Sequence, residues 1–238
     1  MRSFVFAFTL AAAFTAPALA APVAFFGEDL NFAGDPIQAP TTNADAAKAS
    51  FFLNLVGVGI ETFESIPVGT TAPFAVSFGS AGTATINSGG TVDSGNDGYR
   101  RYPISGSQYL HAGNSILGIT FSAPISAFGV YGTDIGDFGG QLTLTLTDSL
   151  NNVTTLTVPN TIGSSGSTTG SNLYFGFYDT TAAYTSIILN NSSTSDIFGF
   201  DDFSIGSRQQ VVPTPEAGTV AVLLAGMGML GVAVLRRG

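Results

Sequence analysis

Leu142-Thr143-Leu144-Thr145-Leu146-Thr147, then Asp148-Ser149-Leu150-Asn151-Asn152, then Val153-Thr154-Thr155-Leu156-Thr157-Val158, is the stretch that decides the fold. Its first six residues alternate apolar and polar without a fault. Side chains on an extended strand point to opposite faces in turn, so this period marks a strand with one face buried and one wet. The middle five residues are turn formers, and the last six resume a β-rich run. The whole reads as a hairpin.

Working outward, similar short runs recur at regular spacing. They are Phe74–Phe78, Thr83–Ile86, Ile116–Phe121, Ile125–Tyr131, Leu173–Tyr178, Thr185–Asn190 and Phe198–Ile205. About eight to ten such strands predict an antiparallel β-sandwich, jelly-roll-like in type. Residues 87–115 read as loop-rich. Gly163–Gly170 (GSSGSTTG) reads as a flexible loop. Residues 21–42 carry Pro22, Pro36 and Pro40 without a clear period and read as a leader loop. Residues 43–55 then fit one helix. Asn43 is a fitting N-cap, Asp45 suits the first turn, and Ala47, Phe51, Phe52 and Leu55 share helical spacing. Gly57 and Gly59 stop it. The expected place of this helix is over the end of a sheet, with the sandwich spanning 43–210.

Composition narrows the chemistry. Charged residues are only 10 % and the net charge is −9. Within 21–210, fifteen acids face only Lys48, Arg100, Arg101 and Arg208. Such a surface repels phosphate backbones, which excludes nucleic acid as a partner. Cysteine is absent, so disulfides, thiol catalysis and zinc–thiolate sites are excluded.

The two ends read as addresses. Residues 1–20 start with Arg2, continue with an apolar run from Phe4 to Phe14, and end Ala18-Leu19-Ala20 after Pro17. This is the tripartite form of a secretory signal peptide, with a signal helix, an A-x-A cleavage site and Ala21 as the mature N-terminus. At the other end, Val212-Pro213-Thr214-Pro215-Glu216-Ala217 precedes Thr219–Leu235, an uncharged run, and then Arg236 and Arg237. As a helix those seventeen residues span about 25 Å, the short edge of a transmembrane helix. The terminal arginines would face the cytoplasm and leave the body outside.

This order of proline-rich motif, Gly-rich apolar helix and terminal arginines resembles the PEP-CTERM sorting signal of Gram-negative bacteria, over residues 211–238. Val212, Pro213, Pro215 and Glu216 match its motif at 212–217, with Ala217 where a second proline often stands. The basic end is 236–238. The resemblance implies an exported protein held in the membrane through its C-terminal helix until an exosortase sorts it. It also implies a cell-envelope or extracellular location and a biofilm or extracellular-matrix setting. The same C-terminal motif also carries an ice-binding label. In the body, Phe128–Asp134, Phe198–Phe203 and Glu61–Glu64 resemble a recurrent body type of that group, and are similar in style to carbohydrate-binding jelly rolls.

The body shows no G-x-S-x-G elbow, no H-E-x-x-H and no phosphate loop. The lone His111 has no flanking support for a triad and reads as a loop or strand-edge residue. Glu61 and Glu64 would fall on opposite faces of a strand, which is unhelpful for a glycosidase pair. Calcium is the one cofactor with candidate ligands, because it takes oxygen donors. Asp134 and Asp137 sit on a Gly-rich turn after a strand, and Asp201 and Asp202 are adjacent in the last strand. The likeness to carbohydrate-binding jelly rolls implies a structural calcium joining Glu61 or Glu64 to Asp201 or Asp202; the alternative for the aspartates is turn hydrogen bonding. Tyr99, Arg100, Arg101, Tyr102 and Tyr109 form the candidate glycan-binding patch, since Tyr and Arg are favoured at recognition surfaces. The expected function is a non-catalytic exported surface or matrix protein that binds polysaccharide. A secreted glycan hydrolase on the same sandwich, or an ice-binding or adhesive module using Thr143, Thr145 and Thr147, are the alternatives.

Overall fold

The computed structural model describes residues 21–113 and 116–212. The signal segment with Ala18 and Ala20, and the tail beyond Val212 with Pro213, Pro215, Glu216, Arg236 and Arg237, lie outside the described residues. Among the described residues no helix is long and apolar enough to cross a membrane.

Among the described residues, thirteen strands make two antiparallel sheets. They are β1 (Val23–Asp29), β2 (Gly59–Glu61), β3 (Phe74–Ser77), β4 (Thr83–Ser88), β5 (Thr91–Ser94), β6 (Gln108–Ala112), β7 (Leu117–Ile125), β8 (Ala127–Thr133), β9 (Leu142–Asp148), β10 (Val153–Thr157), β11 (Asn172–Tyr178), β12 (Tyr184–Asn191) and β13 (Phe198–Gly206), with one helix α1 (Thr42–Phe52). The first sheet runs β1-β11-β8-β13-β6-β5, with β2 also on β13; the second runs β10-β9-β12-β7-β4-β3. Between them lies one core, with Phe128, Phe177, Phe200 and Phe203 from the first sheet facing Leu144, Ile187 and Ile119 from the second. The expected sandwich is therefore the observed one, and the 142–158 hairpin pairs Leu144 with Leu156 and Thr145 with Thr155.

Several local expectations are corrected. The leader 21–42 is not all loop, because β1 pairs with β11 along its full length. Its Phe25-Phe26 pair breaks alternation since both faces are covered: Phe26 packs on the inter-sheet core, and Phe25 on a second cluster beneath the helix. Two-sided burial erases the period of two. The segment 87–115 contains the β5–β6 hairpin, with Val92 opposite Leu110. The helix ends at Phe52 rather than Leu55, and it lies across the outer face of the first sheet, not its end. There Phe51 meets Phe25 and Tyr174, with ring centroids 5.8 and 6.0 Å apart. Gly129 and Gly176 make that approach possible: a Cβ on either would come within 3.0 Å of the Phe51 or Tyr174 ring and its substituents. Asn43 does not cap the helix. The carboxylate of Asp29, at the end of β1, accepts from the Asn43 and Ala44 amides at 2.9–3.1 Å, so a neighbouring strand closes the helix N-terminus.

Candidate functional site

One end of the sandwich gathers five loops into a cleft of about 410 Å³. The β1–α1 loop brings Ala33, the β5–β6 loop Tyr99 and Arg100, and the β8–β9 loop Asp134, Asp137 and Phe138. The β10–β11 loop adds Gly166 and Thr169, and the β12–β13 loop Asp196 and Ile197. This size is ordinary for a small-ligand site.

Two rings are offered to solvent. Tyr99 is 69 % exposed and Phe138 50 %. Phe138 stands in a tight turn with φ +54°, which holds its ring outward. Arg100 also has positive φ. Its guanidinium donates to the Phe32 and Asp35 carbonyls at 2.8 and 3.1 Å, tying two loops of the cleft together.

The carboxyls behind the rings are buried. Asp137 accepts from the Thr168 amide and hydroxyl, both at 2.9 Å, and from the Gly166 amide at 3.1 Å. Asp134 accepts from the Gly170 amide at 2.9 Å. Burial pushes it up to about 7, with Asp137 and Asp196 adding to the push and the Gly170 amide opposing it. Asp196 is 1 % exposed. Its Oδ2 accepts from the Gly136 amide and the Asn191 amide group at 3.0 and 2.7 Å, while its Oδ1 is shielded from water and has no partner. Burial pushes Asp196 up to about 6, against the pull of Gly136 and Asn191.

The structure thus joins residues singled out for separate purposes. Tyr99 and Arg100 from the candidate glycan patch meet Asp134 and Asp137 from the candidate calcium set. The other patch members are structural. Arg101 is buried and ion-paired with Asp97, and it lies 2.6 Å from His111 Nε2 on β6. Burial and that guanidinium lower the His111 pKa. Tyr102 is buried, donating to the Gly170 carbonyl at 2.9 Å and accepting from the Ala39 amide at 3.1 Å. Tyr109 is fully buried.

Each acid expected to join a calcium bridge is held by protein donors. Glu61 is spent on the Phe63 and Ser77 amides, and Glu64 on the Ser107 and Gln108 amides. Asp201 holds the Ile104 and Ser105 amides at 2.8 and 3.0 Å. Asp202 pairs with Lys48 at 2.8 Å and accepts from the Ser105 hydroxyl. A bulge in β13 between Asp201 and Ser204, with Asp202 at φ +50°, turns both acids toward the same covering layer. Among the described residues, no group of three or more His, Cys, Asp or Glu side chains is placed to hold a metal ion.

Phe138 and Asp196 escaped the sequence reading. An aromatic ring flanked by glycines in an acidic turn, Gly136-Asp137-Phe138-Gly139, is the signal that could have flagged Phe138. Nothing local marks Asp196 in its Ser/Thr loop. A larger groove, about 830 Å³, runs between α1 and β1. Its one carboxylate, Glu28, is already bonded to the Thr161 amide and hydroxyl, so it offers a ligand less chemistry.

No family model matches the chain, and no curated protein matches it. Among solved structures, the K2 cleaved adhesin domain of Lys-gingipain aligns with TM-score 0.38 and 16 % identity, over 63 % of this chain and 97 % of that one. The xylan-binding domain from CBM 22 aligns with TM-score 0.35 and 12 % identity, over 67 % and 98 %. The CBM22-1 xylan-binding domain from Paenibacillus barcinonensis aligns with TM-score 0.34 and 13 % identity, over 63 % and 100 %. Each is a distant likeness, and the chain is a two-sheet antiparallel β-sandwich.

Proposed function

We propose that this chain is a non-catalytic, exported surface or matrix protein that binds a glycan in the cleft at the Tyr99 end of the sandwich. The observation that carries the reading is the pair of exposed rings, Tyr99 and Phe138, lining one cleft with buried acceptor carboxyls. A pyranose has apolar C–H faces and a polar rim of hydroxyl donors. Flat rings take the faces, and acceptors behind them take the hydroxyls. The export half of the proposal rests on the segment 1–20 and on the resemblance of 211–238 to a PEP-CTERM signal, which together imply a cell-envelope or extracellular location and an exosortase as partner.

The test is affinity electrophoresis of the full chain through gels containing neutral and amino-sugar polysaccharides. Retardation by at least one glycan, lost in Tyr99→Ala and in Phe138→Ala, is the expected result. Unretarded migration in every gel overturns the reading. Glycan cleavage by the full chain would overturn its non-catalytic part.

A further inference from the structure

The cleft wall carries three buried acids beside the hydroxyls of Ser165, Thr169 and Ser195. Asp137 is served by Gly166 and Thr168 of the β10–β11 loop, and Asp134 takes one amide on Oδ1. Asp196 Oδ1 takes none, although under 1 Å² of it is accessible. A buried carboxylate oxygen without a donor costs free energy. Among the described residues, none of these three acids forms an ion pair. The one cation on the wall, Arg100, already spends both terminal nitrogens on backbone carbonyls. The cleft wall is therefore acidic, and its one cation is engaged.

A ligand completes such a site by bringing donors and positive charge together. A divalent metal brings charge but asks for several oxygens at inner-sphere range, and the described side chains supply no such group. A protonated primary amine brings three donors and a charge, and needs only hydrogen-bond geometry. The Phe138 ring at the mouth favours the same guest, because an aromatic face attracts a cation; the Tyr99 ring already has the Arg101 guanidinium carbon 5.6 Å from its centroid. Uronic or sulfated sugars would meet like charge.

We infer that the cleft selects glycans bearing a free protonated amine, as in de-N-acetylated hexosamine oligomers, with Asp196 Oδ1 receiving the ammonium. This rests on the reading of the cleft as a glycan site and names the class of sugar.

The experiment is titration calorimetry of the full chain with three oligosaccharides of equal length: β-1,4-linked glucosamine, its N-acetylated form, and neutral β-1,4-glucose. The expected result is a preference of about tenfold or more for the free amine. That preference should shrink as salt is raised and disappear in Asp196→Asn, which keeps the size of the side chain. Thermal melts check that the variant is folded; should it fail to fold, Asp134→Asn serves in its place, with the same loss expected. Equal affinity for all three sugars overturns the amine assignment and leaves the cleft reading standing. A preference unchanged in folded Asp196→Asn, and again in Asp134→Asn, overturns the role of these acids. Binding of none of the three overturns the amine assignment, and unretarded migration in all the polysaccharide gels would overturn the cleft reading as well.

Discussion

The outer faces of the two sheets are opposites. The second sheet turns an uncovered face to water. Thr155 and Thr157 of β10 stand beside Thr145 and Thr143 of β9, which stand beside Ile188 and Asn190 of β12. Ser186 continues the array to Thr120 of β7 and Thr85 of β4. None of these residues is charged. The first sheet is covered instead by α1 and by the segment 95–107, and every residue of β8, β11 and β13 is buried. Its outward positions include Gly129, Tyr131, Tyr174, Gly176 and Asp201, with Thr133 buried beside Gly199. The lesson is that a sheet face can bury acids only when a second layer supplies donors to them. The Ile104 and Ser105 amides do this for Asp201, and Lys48 does it for Asp202. At the end of the sandwich that layer stops, and Asp196 is left partly unserved.

The contrast can be broken at the helix. Phe51→Ala removes a fully buried ring from the layer between α1 and the first sheet, with an expected loss of about 3–5 kcal/mol, read from the urea midpoint. A loss no greater than that of a substitution on the bare face would show that the helix does not seal the sheet.

Acid titration sharpens the contrast next. Burial pushes Asp134 and Asp201 up to about 7, and Asp196 up to about 6, from an ordinary 3.8. Between those values the folded chain holds protons that the unfolded chain has released. Stability is therefore greatest below about pH 4 as far as these groups go, and falls as pH rises through about 6–7. The expected observation is a melting temperature several degrees higher near pH 5 than near pH 8. In Asp201→Asn that difference should narrow.

A smaller effect is expected where strand meets helix. Asp29→Ala leaves the Asn43 and Ala44 amides without their acceptor. The expected cost is about 1 kcal/mol, read from chemical denaturation. Smallest of all, Thr145→Val on the bare face should shift stability by no more than about 0.5 kcal/mol. A larger loss would mean that a further layer covers this sheet too.

The same contrast explains what was legible. In β9 the buried leucines alternate with half-exposed threonines, so chemistry and geometry keep the same period. In β1, with Phe25 and Phe26 on two different cores, the period vanishes and the strand was hidden in a supposed leader. The β5–β6 pair was hidden as well, because the long connection 95–107 carries no tight-turn signal and the whole of 87–115 read as loop-rich. At the cleft, residue types were legible but their partnerships were not. Tyr99, Arg100, Asp134 and Asp137 stood out, yet so did Arg101, Tyr102 and Tyr109, which are buried, and Glu61, Glu64, Asp201 and Asp202, which cap amides or pair with Lys48.

Sequence alone made the antiparallel sandwich and the helix of its first third legible and, with no cysteine, excluded thiol chemistry, because composition and one-sided periodicity act locally along the chain. Tertiary structure alone decided which acids are spent and which are free. An aspartate's partners here lie as far as 154 residues away, as for Asp202 and Lys48. Whether a donor reaches it depends on how the five loops and the helix settle over the first sheet.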